Sequence, residues 1–178
     1  DIFKKIIARG RLTMALKRIR LIFVLSIFII ASIGGAFADN VKIGSLSAVT
    51  GPIAKLVPPI INGSKLAIKQ INAQGGVLGG KKLELIVGDT GCNAQASVDA
   101  ATKLVNVEQV VAIVGALCSG ATIGAANNVA IPSNVVMVSP ASTSPEITGL
   151  KDNDLIFRVA PTDAYQGKVL AKYVKDKG

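Results

Sequence analysis

Two segments of this chain combine hydroxyl groups, small residues and free backbone at places where a ligand could be held. Gly115-Ala116-Leu117-Cys118-Ser119-Gly120-Ala121-Thr122 follows the apolar run Val110–Val114, and Ser139-Pro140-Ala141-Ser142-Thr143-Ser144-Pro145-Glu146 follows Val135–Val138. The first segment leads into a predicted helix. Unpaired N–H groups at a helix start, together with the Ser119 hydroxyl, would suit a carboxylate, because they are donors at the positive end of the helix dipole. An N-cap role for Ser119, serving only the helix, satisfies the same pattern. In the second segment, hydroxyls and carbonyls held between two prolines could accept from an ammonium group, or they could form an ordinary hydroxyl-rich loop.

Other chemistry is excluded by composition. The chain has no histidine, which removes His-based triads, imidazole bases and histidine metal sites. Two cysteines alone cannot build a zinc site. Gly75-Gly76-Val77-Leu78-Gly79-Gly80 precedes a strand instead of opening a helix after one, so it reads as a tight turn and not as a dinucleotide fingerprint. Gly88-Asp89-Thr90-Gly91 reads as a strand-end turn. No nucleophile comes with a base beside it. The expectation is a protein that is not an enzyme and needs no metal or cofactor.

The N-terminus predicts export. Lys17, Arg18 and Arg20 precede the apolar run Leu21–Ile33, and Ala36-Phe37-Ala38 offers small residues at a signal-peptidase site. Residues 1–38 are therefore read as an upstream segment, with a start at Met14, plus a secretory signal peptide. A retained membrane anchor over Leu21–Ala38 is the alternative. Seven of the 20 Lys and Arg residues, but only one of the 11 Asp and Glu, lie before Asp39, which leaves the rest of the chain at +3. That small, unclustered charge does not indicate a nucleic-acid partner.

Export also bears on Cys92 and Cys118. Each lies just beyond an apolar strand (Leu83–Val87 and Val110–Val114), and these strands are expected to be neighbours. A disulfide there would pin the rim of a parallel sheet, where open α/β sheets bind ligands; two unpaired buried thiols are the alternative. The bridge would close a loop of about 25 residues and add roughly 3–4 kcal/mol of stability.

The elements that would position these residues alternate. Strands are predicted at Val41–Leu46, Lys82–Val87, Val110–Val114, Val135–Val138 and Leu155–Val159, and helices at Ile60–Ala73, Ala94–Val105, Ala121–Ala130 and Asp163–Lys177. Continuous apolar strands alternating with helices predict an α/β fold, a parallel sheet covered by helices on both faces. Residues 39–178 suffice for one domain with a sizeable core.

With these segments in order, the chain resembles the type I periplasmic binding proteins. The resemblance rests on Ile43-Gly44, Thr50-Gly51-Pro52, Ile71-Asn72-Ala73-Gln74-Gly75-Gly76-Val77 and the two hydroxyl-rich segments, and it spans Val41–Lys177. Within that family it is most similar to the leucine/isoleucine/valine-binding proteins of ABC importers. The resemblance implies a two-lobed, hinge-closing protein, with residues 39–178 as most of the first lobe and the second lobe missing. It implies that Ser119 binds a ligand α-carboxylate, beside Leu117. It further implies that Ala141, Ser142 and Thr143 hold the α-carboxylate and α-ammonium, and that Cys92 and Cys118 match the family's disulfide. Asp163 matches a position that faces the ammonium in some relatives, or it serves as the N-cap of the last helix. Leu56, followed by Val57-Pro58-Pro59, stands where branched-chain binders carry an aromatic residue, which implies a differently shaped side-chain pocket.

The function expected is capture of a free amino acid, branched-chain in the first instance, in the periplasm and delivery to an ABC transporter permease by a monomeric protein. The alternative is a ligand-sensing receptor of the same fold for amides, urea-like compounds or aromatic acids. Aromatic residues make up only 4% of the chain, which argues mildly against a ring-stacking sugar site.

Overall fold

The computed structural model describes residues 40–178; the expected signal segment lies outside the described residues. Five parallel strands form one sheet: β1 (Val41–Ser47), β2 (Leu83–Asp89), β3 (Ala112–Gly115), β4 (Val136–Ser139) and β5 (Ile156–Arg158), in the order β2-β1-β3-β4-β5. Four α-helices alternate with them: α1 (Val57–Ala73), α2 (Ala94–Thr102), α3 (Ser119–Ala125) and α4 (Asp163–Lys177). The sequence-predicted order of elements holds throughout.

Several boundaries differ for local reasons. α1 begins at Val57, three residues before the predicted start, because Pro58 and Pro59 fall in the first turn. Proline is tolerated there, since its missing N–H would have no partner in that turn anyway. The last turns of the second and third predicted helices widen to i→i+5 bonding, over Lys103–Val107 and Ala126–Ala130. These wide turns carry Leu104, Val129 and Ala130, all buried, into the core.

The sheet's two faces are unequal. From β1 the chain steps to β2 on one side, then reverses to β3 on the other. Right-handed crossovers then place α1 on the face opposite α2 and α3. On the α2/α3 face, Leu46, Ile113, Met137 and Ile156 line up through the strand register and are nearly inaccessible. Leu104 lies directly over Gly44 and Gly88. Ala121, Ala125 and Ala126 let α3 approach closely, and Gly124 packs against the backbone of Ala94. On the other face α1 packs on β1 and β2. Beyond it, Val136 and Phe157, which share that face, are exposed. α4 contributes no buried residue; Tyr165, Val169, Leu170, Tyr173 and Val174 all face outward.

Asn93 starts α2 by accepting from the Ala96 N–H at 3.0 Å. Asn93→Ala should cost about 1 kcal/mol, read as a lower denaturant midpoint at an unchanged slope. Among the described residues no helix is long and apolar enough to cross a membrane.

Candidate functional site

β2 and β3 leave β1 in opposite directions, so the sheet has a topological switch point between β1 and β3. Ligands of open α/β sheets bind near such a point, outside the carboxyl ends of the strands. The loops of both hydroxyl-rich segments meet at this rim.

The strands behind the two cysteines are not neighbours, contrary to the sequence expectation, because β1 lies between them. Cys92 and Cys118 are nevertheless bonded, with Cα atoms 5.4 Å apart, so the bridge ties the loops after β2 and β3 across the end of β1. Cys118 is also the N-cap of α3, which makes Ser119 the first helical residue and not the cap. Its side chain is thereby free of capping. The Ser119 hydroxyl oxygen instead accepts from the N–H groups of Thr143 and Ser144, each at 3.2 Å. An oxygen that accepts twice keeps its own proton to donate, and the two amides polarise that O–H.

The β4 loop is anchored from below by a buried hydroxyl cluster. The Ala116 carbonyl accepts from Ser139 Oγ at 2.6 Å, and the hydroxyls of Thr122 and Ser142 also reach it. Thr122 and Ser142 bond each other at 2.7 Å. Ser139 Oγ in turn accepts from the Ser142 N–H at 3.0 Å. The Ser142 side chain is therefore directed inward and 1% exposed. Leu117 is similarly enclosed, in a small cluster with Ala48 and Val57. Of the site residues expected from sequence, these two have side chains engaged in packing the rim. Gly115 makes the turn possible: it has φ +136°, and a Cβ there would strike the Leu46 carbonyl.

Thr143 and Asp163 form the other half of the constellation. The Thr143 hydroxyl donates to Asp163 Oδ2 at 3.1 Å, and the Asp163 N–H donates to the Thr143 carbonyl at 3.0 Å. The N-cap of α4 is Thr162, which accepts from the Tyr165 N–H at 3.1 Å, so Asp163 is not the cap. Its exposed carboxylate keeps capacity to accept from a cation. The Ala141 carbonyl accepts no hydrogen bond among the described residues. Thr143 also borders an open groove of about 680 Å³ walled by Pro161, Tyr165 and Val169. Leu56 is 65% exposed at the entry to α1 and lies outside that groove. Ser119, Thr143 and Asp163 are thus brought together, and Leu56 stands apart from them.

Sequence reasoning missed Asp89, which sits at the end of β2 and not in a simple turn. Its carboxylate accepts from the Thr50 hydroxyl at 2.6 Å, the Thr50 N–H at 3.1 Å and the Gly91 N–H at 3.0 Å. Burial raises its pKa, but the bonds from the Thr50 hydroxyl, Gly91, Thr50 and Val49 outweigh that and hold the carboxyl below its ordinary value of 3.8. The loop after β1 is tied to the loop after β2 in this way. The signal was the local Asp-x-Gly pattern; its partner Thr50 is 39 residues away in sequence.

Because the folded-state pKa is depressed, this contribution to stability is complete above the unfolded value near 3.8. It fades as pH falls through the lower folded value. The expected result is that Asp89→Asn lowers the unfolding midpoint at pH 6 and that its deficit against wild type narrows below pH 4. A deficit constant down to pH 2.5 would contradict this.

Comparison with known proteins decides the family. Residues 40–178 match the family described as periplasmic binding protein. This chain belongs to that family. As a periplasmic binding protein it is 36% identical over 140 residues to the leucine-specific-binding protein of Salmonella typhimurium, an alignment covering 79% of this chain and 37% of that protein. Its fold is similar to the branched-chain amino acid transporter substrate-binding protein LivJ from Streptococcus pneumoniae, solved with isoleucine, at TM-score 0.70 and 33% identity, over 78% of this chain and 38% of that one. It is also similar to a solute-binding protein of an ABC transporter from Rhodopseudomonas palustris solved with 3,4-dihydroxybenzoic acid, at TM-score 0.60 and 28% identity, over 69% and 32% of the two chains. The chain therefore spans about a third of the length of these relatives.

Proposed function

We propose that this chain supplies the lobe that grips the backbone of a free amino acid, branched-chain in the first instance, in an extracytoplasmic solute-binding protein that feeds an ABC importer. The observation that carries the reading is the meeting of Ser119, Thr143 and Asp163 beyond the carboxyl ends of β3, β4 and β5. The Ser119 hydroxyl, polarised by the Thr143 and Ser144 amides, offers a donor for an α-carboxylate. The Asp163 carboxylate and the free Ala141 carbonyl offer acceptors for an α-ammonium. Opposite charges on one small ligand need these two kinds of partner a few ångströms apart, and the α4 groove beside Thr143 leaves room for a side chain.

In this reading, residues 1–38 direct export to the periplasm, and a second lobe closes over the ligand before the protein, as a monomer, meets its permease. The relatives named for leucine and solved with isoleucine support the ligand class. The relative solved with 3,4-dihydroxybenzoic acid favours a second reading, a receptor for aromatic acids on the same fold.

Thermal unfolding of the full-length mature protein with a panel of solutes tests both. A ligand that binds only the native state raises the midpoint by mass action, with roughly 2.7 kcal/mol of stabilisation at 100 times Kd. Shifts with leucine, isoleucine or valine support the importer reading. A shift only with aromatic acids or amides overturns it in favour of the second.

A further inference from the structure

Arg158 ends β5, the edge strand beside β4, in register with Ser139. The Val159 N–H donates to the Ser139 carbonyl at 3.1 Å, which sets Arg158 against the start of the β4 loop. From there its guanidinium spans the loop. Nη1 donates to the Ser144 carbonyl at 2.6 Å, and Nη2 donates to the Thr148 hydroxyl in the short helical turn Pro145–Gly149. Among the described residues Arg158 takes part in no ion pair, so its fork is committed to two neutral oxygens of one loop.

Those two contacts complete a frame around the site. The Ser144 N–H is held by Ser119, and the Ser144 carbonyl is held by Arg158. Thr143, one residue earlier, is held by Ser119 and Asp163. Arg158 thus anchors the outer side of the loop, whose inner side rests on the Ser139 and Ser142 cluster. A loop fixed before the ligand arrives spares binding the cost of ordering it. Arginine suits this task because its rigid planar fork aims two nitrogens at two separate acceptors, whereas lysine presents all its donors from one nitrogen on a flexible stem.

We propose that Arg158 is a positioning residue of the ligand site, which holds the Thr143 and Ser144 amides in their ligand-ready geometry without touching the ligand. The inference rests on the amino-acid-binding reading for its effect on affinity, but not for its effect on the loop.

The test uses the full-length protein and the variants Arg158→Met, Arg158→Lys and Thr148→Val. Leucine binding is followed by calorimetry at a temperature where every variant is folded, and amide hydrogen exchange of the ligand-free protein is followed at Thr143 and Ser144. Arg158→Met should raise Kd roughly tenfold and speed exchange at those two amides while leaving β1 and α2 unchanged. Arg158→Lys should fall between Met and wild type, and Thr148→Val should raise Kd roughly threefold. If Arg158→Met does not fold, Thr148→Val carries the decision.

A lower unfolding midpoint with wild-type Kd and wild-type exchange would overturn the proposal and leave Arg158 a purely structural residue. Full rescue of Kd by lysine would overturn it in favour of a charge effect. If wild type binds no α-amino acid, the functional reading fails, and the exchange rates alone still decide whether Arg158 holds the loop.

Discussion

Replacing Ser119 by alanine in the full-length protein should raise the dissociation constant for the amino acid proposed as its ligand by roughly 10- to 100-fold, the range expected for losing a hydrogen bond to a charged group. Two losses combine. The hydroxyl proton free to meet a carboxylate disappears, and the Thr143 and Ser144 N–H groups lose the oxygen that orients them. Thr143→Val should weaken binding less, because the Thr143 amide remains and only the hydroxyl that bonds Asp163 is lost. Ser142→Ala is the control. Its hydroxyl is enclosed with Thr122 and Ala116, so the expected result is a lower unfolding midpoint with little change in affinity. Calorimetric titration of the three variants separates these outcomes. Equal affinities for wild type and Ser119→Ala would remove Ser119 from the site.

Removing the bridge between Cys92 and Cys118 should have the largest effect on stability. The two residues are 26 apart in sequence, and the chain-entropy relation for a loop of that size gives about 3.5 kcal/mol at 25 °C. The double substitution to alanine leaves no thiol to re-form the bond, and its denaturant midpoint against wild type measures the loss. The consequence reaches the site as well. Cys118 immediately precedes Ser119 and Cys92 follows the Asp89 turn, so the bridge and the Thr50–Asp89 contact hold the loops of β1, β2 and β3 as one frame. Affinity should therefore fall along with stability. A double variant within 1 kcal/mol of wild type would place the frame's stability elsewhere, in the alanine-lined packing of α2 on α3.

Much of this was legible in residue order. Runs rich in apolar residues and bounded by turn residues marked all five strands, because strands of a sheet packed on helices need apolar residues while the rim needs turn chemistry. The hydroxyl-rich segments after Val114 and Val138 marked the site for the same reason: loops at the carboxyl ends of parallel strands all open on one rim. Histidine's absence limited the chemistry before any geometry was known.

The rest depended on which strand lies beside which. Nothing local in Leu83–Asp89 or Ala112–Gly115 says that β1 separates them; that follows from the reversal of the crossover, a property of the assembled sheet. The roles of Ser119 and Asp163 changed for a related reason. Each has a capping residue's composition, yet Cys118 and Thr162 take the caps, and the side chains of Ser119 and Asp163 turn to the β4 loop 20 or more residues away. Residue types and spacing by themselves determined the fold class, the rim and the kinds of groups placed there. Only the tertiary structure decided the partners, because a hydroxyl or carboxylate bonds whichever donor or acceptor folding brings within about 3 Å, however far away it lies in the chain.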